Sequence, residues 1–584
     1  MTRIIDSTRI AALPRVDYSQ ADWNHALVKP GSVYRLNPMQ SQAFEAMSRM
    51  DGMCGHIGVG HGKTFIVLLA GQVLNRRRNI VITTAPNVSQ LRESYYRQVK
   101  PNFYVPAEDP IIISFNDLST PRSKDKPDLL EDLIGDCPPT EVSIAVDEAH
   151  HIKDLSASRT FRVQRFILDR PEMAFVAVSG TLITTDIRKG WHLFAWALGM
   201  QSPLPVDSLY IKSWTECLHD KGQPGELDWR NVEPLLKWAD PSWTPKPVRL
   251  DERPTAQKAF QARLRCAPGV VMSREGSIGT ALNLRVRPLP MPREVEDALE
   301  ALEEEAVLPN GEPIEDDPIE LWRYGTSLST GYFYVPDWPD GEEDAEYVMS
   351  RRAWCRALRA ELEARRKKGY DSAALIAAQL EEDIDKPERE RKLRPIHTTW
   401  LRWKAAKSRW GTAGPPVKAV WVSSYLVNDA VAWAKQQKKP VILWYKSRAV
   451  EDALRMCNVP VYGAGSDHPT RPITCAMSID VHGTGKNLQA WSLQLFLEPA
   501  DNETQWEQVL GRTHRFGQTA DEVEGLLYQC TPWMRKNFAR AVMGARSTLN
   551  LTGATQKLLY ATHTGFDNPG LFTGRKVDKA PVIM

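Results

Sequence analysis

The chain has 584 residues, of which 42% are hydrophobic and 25% are charged, so it can form several domains with their own cores and is unlike disordered or collagen-like chains. Its 74 lysines and arginines against 72 aspartates and glutamates leave a formal charge of +2. This balance excludes a global positive field that would draw the whole molecule to nucleic acid or to an anionic membrane. Any such binding has to come from local patches.

The cysteines and the apolar runs indicate the compartment. The eight cysteines stand singly, without a C-x-x-C pair, which predicts reduced thiols and argues against a zinc ribbon. No apolar run approaches the roughly 18 residues of a membrane span. The N-terminal region carries Asp6, Asp17 and Asp22 in place of an apolar signal core. We therefore expect a cytoplasmic protein, or one of the host cytoplasm if it is viral, with no membrane partner.

Residues 33–200 have the pattern of one α/β lobe, preceded by an extension over residues 1–32. Apolar, β-branched runs alternate there with amphipathic stretches, which is typical of a parallel sheet covered by helices. The runs begin at Ile80, Ile111, Val142 and Phe175.

A glycine-rich segment of this lobe has the composition of a phosphate-binding loop. Glycines allow a tight turn whose N–H groups face phosphates, a lysine adds positive charge, and a threonine hydroxyl reaches Mg²⁺. Ile57 stands where the strict G-x-x-x-x-G-K-[ST] spacing has its first glycine. The residues expected to hold a nucleotide here are Gly58, Gly60, Gly62, Lys63 and Thr64.

Two adjacent carboxylates, Asp147 and Glu148, end the apolar run that begins at Val142. Because successive strand residues point to opposite faces, the two acids suit separate tasks. Asp147 is expected to hold Mg²⁺, and Glu148 to orient and deprotonate the attacking water. A lone acidic pair after a strand is usually only a loop, but this pair follows a phosphate-binding loop in the same lobe.

Residues 201–419 differ in composition and predict a mainly helical insertion. An acidic segment, 294–346, is interpreted as a solvated surface, and a basic segment, 351–409, follows it. Three tryptophans interleave with its cations, which fits either a surface that grips phosphates and stacks bases or a helix that packs on a core. These tryptophans are Trp400, Trp403 and Trp410.

Residues 420–546 repeat the α/β pattern and predict a second lobe, followed by a tail, 547–584, that is uninformative. Near the end of this lobe, Arg512 and Arg515 stand three residues apart on one helical face, with no acidic residue nearby to pair both. An arginine supplied across a cleft neutralises charge on the γ-phosphate and contributes about 10³ to 10⁵ in rate. The alternative is a surface arginine pair at a helix end.

In order and spacing these motifs resemble the superfamily-two helicase-type ATPases, specifically the Swi/Snf-like branch of DNA translocases, in a compact phage or bacterial type. The resemblance covers about residues 33–195 and 420–530. Residues 147–150 resemble the DEAH box of the pattern D-E-A-H-x-x-K-N, with Asp154 in place of its Asn. Residues 508–518 resemble motif VI, Q-x-x-G-R-x-H-R-x-G-Q, whose trailing G-Q marks this branch.

The resemblance implies a fold and a set of site residues. The implied fold is α/β, with two RecA-like parallel-sheet lobes forming an ATP cleft. ATP and Mg²⁺ are the implied cofactors, with the metal at Thr64 and Asp147 and adenine at Gln40. The implied catalytic residues are Lys63, Glu148, Gln508, Arg512 and Arg515. The residues implied to couple hydrolysis to lobe movement are His150, Ser179, Gly180 and Thr181. The residues implied to contact the nucleic-acid backbone are Ala85, Pro86, Ser114, Gly485 and Asn487.

From these features we expect an ATP-dependent translocase on DNA, with the preference for duplex implied by the resemblance. One alternative is a strand-separating DNA or RNA helicase, whose wedge could come from Trp338 or from the Trp400–Trp410 cluster. The other is a nucleotide-gated DNA-binding scaffold without turnover. The sequence leaves open which process is served and whether a nuclease, a polymerase or another replication or recombination protein is a partner.

Overall fold

The protein is described by a computed structural model over residues 9–58, 61–119, 129–155, 157–183, 186–219, 228–244, 251–273, 280–314, 318–339, 341–365, 373–384, 386–387, 394–411, 414–515, 517–568 and 570–573. Its strands are β1 (Gly52–His56), β2 (Arg78–Thr83), β3 (Ile111–Ser114), β4 (Val142–Asp147), β5 (Ala174–Ser179), β6 (Val270–Met272), β7 (Ala281–Arg287), β8 (Tyr332–Pro336), β9 (Val417–Trp421), β10 (Val441–Tyr445), β11 (Val461–Tyr462), β12 (Cys475–Ser478), β13 (Leu493–Phe496), β14 (Glu522–Tyr528) and β15 (Thr562–Thr564).

The α-helices surround these strands. They are α1 (Asn24–Leu27), α2 (Pro38–Met50), α3 (Lys63–Val73), α4 (Ala85–Ser94), α5 (Lys100–Asn102), α6 (Phe115–Ser119), α7 (Leu129–Ile134), α8 (Ser158–Leu168), α9 (Trp191–Leu198), α10 (Ser208–Leu218), α11 (Glu233–Ala239), α12 (Arg253–Arg265), α13 (Arg293–Glu305), α14 (Pro318–Thr330), α15 (Ala345–Arg365), α16 (Ala373–Glu382), α17 (Arg394–Ser408), α18 (Tyr425–Gln436), α19 (Arg448–Met456), α20 (Ile479–His482), α21 (Glu503–Thr513), α22 (Pro532–Thr552), α23 (Lys557–Tyr560) and α24 (Gly570–Thr573). In the described part of the chain, no helix is both long and apolar enough to cross a membrane.

The chain is α/β, with two all-parallel sheets, which confirms the fold class at this level. The first sheet has six strands in the order β3-β2-β4-β5-β1-β6. Alternate residues of its strands enter two separate apolar clusters: Ile144 and Val146 belong to one, and Ala145 to the other. Because side chains alternate across a sheet, each face carries its own core, as expected when helices cover both sides.

The second sheet has seven strands in the order β11-β12-β10-β13-β14-β7-β15, again all parallel. Trp444 and Phe496 pack on one face and Leu443 and Leu495 on the other. In both sheets the connections place all carboxyl ends of the strands on one edge. That edge is where ligands bind in open parallel sheets.

The sheets take strands from outside the bounds expected for the two lobes. β6 joins the first sheet beside β1, and β7 joins the second beside β14, although both lie within the predicted insertion, 201–419. β15 pairs with β7 although it lies in the predicted tail, 547–584. The bounds 33–200 and 420–546 therefore leave out three strands. These are sheet-edge additions whose partners are distant in sequence, and local patterning carries no signal for such pairing.

Within the insertion, an antiparallel pair of strands, β8 and β9, flanks a helical unit. Between them, α15, α16 and α17 share a core in which Trp400 and Trp403 are only 5% and 7% exposed. Of the two alternatives for the tryptophans, the structure shows the second: Trp400 and Trp403 lie on a helix that packs on a core. These indoles do not form an open stacking surface or a wedge.

Three basic side chains on or just after α17 are paired with acids of the same helical unit. Arg402 binds Glu346 through two hydrogen bonds, of 2.7 and 2.8 Å. Arg409 binds Asp344, and Lys404 binds Glu381. The acidic segment, interpreted from sequence as a solvated surface, thus also pairs with Arg402 and Arg409 of the basic segment. Phosphate contacts by these cations would have to compete with these pairs.

We predict that Trp403→Ala loosens the helical unit, because truncating a buried tryptophan costs about 3–5 kcal/mol. Amide hydrogen exchange in α15 and α17 should accelerate. Leu401→Ala on the same helix, at a side chain that is 38% exposed, should leave exchange near the wild-type rate. Unchanged exchange in Trp403→Ala would show that the indole is not a core residue.

Candidate functional site

Gly62, the last residue of the loop from β1 to α3, has no room for a side chain and lines a pocket. Gly62 adopts φ +78°, and a Cβ there would collide with the Gln40 amide. Only glycine adopts this conformation without strain. The Gly58 N–H donates to Ser273 Oγ at 2.9 Å, so the strand β6 beside β1 fixes the start of the loop. Gly60 lies outside the described residues.

Gln40, in the first turn of α2, bonds to the loop between β1 and α3. Asn37 begins α2 with a reciprocal cap: its side chain accepts from the Gln40 N–H, and Gln40 Oε1 accepts from the Asn37 N–H at 2.9 Å. Gln40 Nε2 donates to the Gly62 carbonyl at 3.2 Å. Both ends of the Gln40 amide therefore bind protein backbone in this conformation, and the amide keeps one further N–H and one further oxygen lone pair.

Lys63 and the acidic pair meet at the carboxyl edge of the first sheet. Lys63 Nζ lies 2.9 Å from Glu148 Oε1, and both side chains are largely buried. Asp147 accepts from Thr83 Oγ1 at 3.1 Å. Glu148 adopts a left-handed backbone with φ +55°. Such a conformation costs roughly 1–3 kcal/mol for a residue other than glycine and concentrates at functional sites.

The pKa values of Asp147 and Glu148 are shifted in opposite directions. Burial, reinforced by the neighbouring Glu148 charge, raises the pKa of Asp147. Burial also acts to raise the pKa of Glu148, but the Lys63 ammonium and His150 outweigh it and leave that pKa below its ordinary value. Divergent pKa values in adjacent acids are a common sign of separate chemical roles. Glu148 is the carboxylate that stays ionised and can accept a proton.

The donor set suits a hard divalent cation held jointly with phosphate. Thr64 and Asp147 line the same pocket, and Mg²⁺ is commonly bound by one or two protein oxygens, with substrate phosphate and water completing its shell. Among the described residues no cluster of three His, Cys, Asp or Glu could hold a metal by itself. Thr64 and Asp147 thus fit a Mg²⁺ that arrives with a polyphosphate.

Arg512, near the end of α21, reaches the same pocket from the second lobe. Its Nε donates to the Gly483 carbonyl at 2.9 Å. Burial lowers the pKa of Arg512 to about 10, while Glu148 and Asp147 act to raise it. Arg512 therefore stays charged at neutral pH, and its charge interacts with the carboxylates of the first lobe.

Arg515 follows just beyond the helix. Burial lowers its pKa as well. Its Nε is buried and has no hydrogen-bond partner in the described structure. A buried guanidinium nitrogen in this position is a donor that an anion can satisfy.

Together these side chains line one cavity of about 110 Å³ between the two lobes. Typical small-molecule pockets are roughly 300–1,000 Å³, so this cavity accommodates phosphate groups rather than a whole nucleotide. The residues that line it are Gly62, Lys63, Thr64, Asn87, Gln90, Leu91, Asp147, Glu148, Gly485, Arg512 and Arg515.

His150 connects the acidic pair to both lobes. Its Nδ1 lies 3.0 Å from Ser179 Oγ and 3.4 Å from Glu148 Oε2. Its Nε2 lies 3.5 Å from Gln508 Nε2 on α21, at the outer limit of a hydrogen bond. Ser179 Oγ also accepts from the Thr181 N–H at 3.1 Å. Gly180 lies beside the loop between β1 and α3: a Cβ added at Gly180 would be 3.8 Å from Gly58 Cα.

Comparison with protein families and with curated proteins adds no assignment to this geometry. No protein-family model matches the chain, and no curated protein matches it. The chemistry of the site therefore has to be inferred from its own residues.

The residues expected to contact nucleic acid differ in their exposure to solvent. Ala85 and Pro86 are exposed in the first turn of α4, and Asn487 is exposed on the second lobe. Ser114 is buried, and its hydroxyl donates to Asp117 at 2.8 Å, so its side chain already serves as a local cap. Gly485 lines the interlobe cavity, against Asn87.

Sequence reasoning missed four residues of the site. Asn87, Gln90 and Leu91 line the cavity from α4. These three residues follow Ala85 and Pro86 within the first two turns of the same helix. Residues three or four apart share a helical face, so the sequence could have indicated them. Ser273 had no such signal, since its contact with Gly58 depends on β6 pairing with β1.

Proposed function

We propose that the chain is a two-lobed, RecA-like ATPase of the superfamily-two helicase type that hydrolyses ATP in its interlobe cleft and uses the cycle to move on DNA. The observation that carries the proposal is the composite cavity. Lys63, Thr64 and the acidic pair come from the first lobe, while Arg512 and Arg515 come from the second.

The geometry supports a division of labour in hydrolysis. The loop N–H groups and Lys63 bind the terminal phosphates, and Mg²⁺ held by Thr64 and Asp147 would neutralise charge on their oxygens. Glu148, ionised and backed by His150, orients the attacking water and accepts its proton. Arg512 and Arg515 stabilise the negative charge that spreads over the γ-phosphate oxygens. Each lobe alone lacks part of this set.

The same arrangement links hydrolysis to movement. ATP contacts both walls of the cavity, whereas ADP lacks the γ-phosphate that faces the arginines, so the two nucleotides favour different lobe arrangements by their difference in binding energy. A polymer held across both lobes would then be stepped once per cycle. DNA as that polymer, and duplex as its form, rest on the resemblance of residues 508–518 to motif VI of DNA translocases.

We predict that Lys63→Ala and Glu148→Gln each lower ATP turnover by at least roughly 100-fold, as loss of charge stabilisation or of a general base does. Glu148→Gln should still bind ATP, because the loop and Lys63 remain. Phosphate release and binding of a fluorescent ATP analogue measure the two effects. Lys418→Ala, which breaks an exposed ion pair with Asp337, is the control and should match wild type. Wild-type phosphate release by Lys63→Ala would refute the site assignment.

Polymer preference is tested separately. We expect ATP turnover to rise on addition of duplex DNA, more than with single-stranded DNA or RNA of equal length, and to lose that stimulation as salt rises, because phosphate contacts are screened. Steady-state phosphate release with each polymer is the measurement. Stimulation by RNA alone would exclude the DNA translocase.

A further inference from the structure

The chain that follows β14 packs against the cores of both sheets. Helix α22 places Phe538 and Val542 in the core of the second sheet, whereas Leu551, near its end, is buried in the core of the first. Gln261 Nε2, on α12 of the first half, donates to the Leu549 carbonyl at 3.0 Å. Arg265 donates to the Gly553 carbonyl at 3.1 Å, where the helix ends. This part of the tail is thus fixed against both lobes.

The short helix α23 then brings a buried cation against α21. Lys557 is only 3% exposed, and its backbone N–H donates to Glu507 Oε2 at 2.6 Å. Lys557 Nζ lies 3.8 Å from Glu507 Oε1 and donates to the Tyr560 hydroxyl at 2.9 Å. Glu507 immediately precedes Gln508 on the helix that carries Arg512. A buried ion pair therefore joins the tail to the arginine helix.

Tyr560 carries this contact to the end of α21. Its hydroxyl lies 3.3 Å from His514 Nδ1, and the other ring nitrogen, Nε2, lies 2.9 Å from the Thr280 carbonyl. Thr280 is the residue before β7, which belongs to the second sheet. His514 stands between Arg512 and Arg515 and ends the helix.

One arrangement of donors satisfies every contact in this chain. The ammonium of Lys557 must donate to the Tyr560 oxygen, so the Tyr560 hydroxyl proton is available for His514 Nδ1. His514 Nε2 must then carry the ring proton, because a carbonyl can only accept. Burial, aided by the Lys557 charge, lowers the pKa of His514, in agreement with a neutral ring. The imidazole is thus fixed at both nitrogens.

We propose that Tyr560 and Lys557 are positioning residues for the arginine pair: by fixing His514 they hold the end of α21 so that Arg512 and Arg515 face Lys63 across the cavity. Arg515 Nε has no hydrogen-bond partner in the described structure, so no bond from that nitrogen holds the guanidinium in place. The proposal rests on the proposed function, in which the two guanidinium groups act on the triphosphate.

The test compares Tyr560→Phe, which removes one hydroxyl, with wild type. We expect kcat to fall roughly tenfold or more, because small displacements of catalytic groups cost up to about 100-fold. The KM for ATP and the affinity for ADP should stay within about twofold, since the phosphate-binding loop is untouched. The double variant Lys557→Met/Glu507→Gln, which removes the ion pair without leaving a lone buried charge, should show the same split between kcat and KM.

Tyr96→Phe is the matched control, because it also removes a tyrosine hydroxyl bond, to Asp109 in the first lobe, and should leave kcat unchanged. As a second readout, ¹⁵N NMR of histidine-labelled protein should show His514 as the neutral Nε2–H tautomer in wild type and a shifted ring signal in Tyr560→Phe.

Three results would overturn the proposal in distinguishable ways. Normal wild-type turnover with an unchanged kcat in both variants would refute the positioning role alone. A charged or Nδ1–H His514 in wild type would refute the network. The expected tautomer without any ATP turnover would refute the proposed function, and with it the role of the arginine pair.

Discussion

The dominant physical constraint on the interlobe site is an excess of buried positive charge. Lys63, Arg512 and Arg515 share a cavity with only two carboxylates, Asp147 and Glu148. Burying ions is costly unless they are paired, and the lowered pKa values of both arginines express that cost. A polyanion entering the cavity would offset it. This charge balance suits the phosphate-rich ligand that the proposed function requires.

The two sheets explain why these charges converge. In each sheet all strands are parallel, so the loops after the strands emerge on one edge. On the first sheet, β1 lies beside β5, and β4 lies on the other side of β5. The glycine-rich loop after β1, the acidic pair and Ser179 are neighbours for that reason. The second sheet presents α21 to this edge, and the tail segment α22–α23 holds it there through contacts with both halves.

The sequence predicted the parts of this account that are encoded locally. The strands of the first lobe, the glycine loop before α3 and the acidic pair after β4 are visible because their chemistry lies within a few consecutive residues. The structure places Lys63, Thr64, Asp147, Glu148, Arg512 and Arg515 around one cavity. Their grouping around one cavity was expected from the order of the motifs.

What the sequence could not supply depends on contacts between distant segments. β6, β7 and β15 lie outside the predicted lobes because a sheet-edge partner is not encoded locally. Trp403 could have faced solvent or a core until α15 and α16 were seen to cover it. Tyr560, in a tail without a recognisable pattern, meets His514 only because α22 turns the chain back.

The most direct test of the composite cavity is the preference for a triphosphate over a diphosphate. Binding of the non-hydrolysable analogue AMP-PNP and of ADP should be measured by calorimetry in wild type and in Arg515→Ala. The account predicts that wild type binds AMP-PNP more tightly than ADP, and that Arg515→Ala loses this preference while its ADP affinity stays unchanged. An intact preference in Arg515→Ala would show that the second lobe does not reach the γ-phosphate.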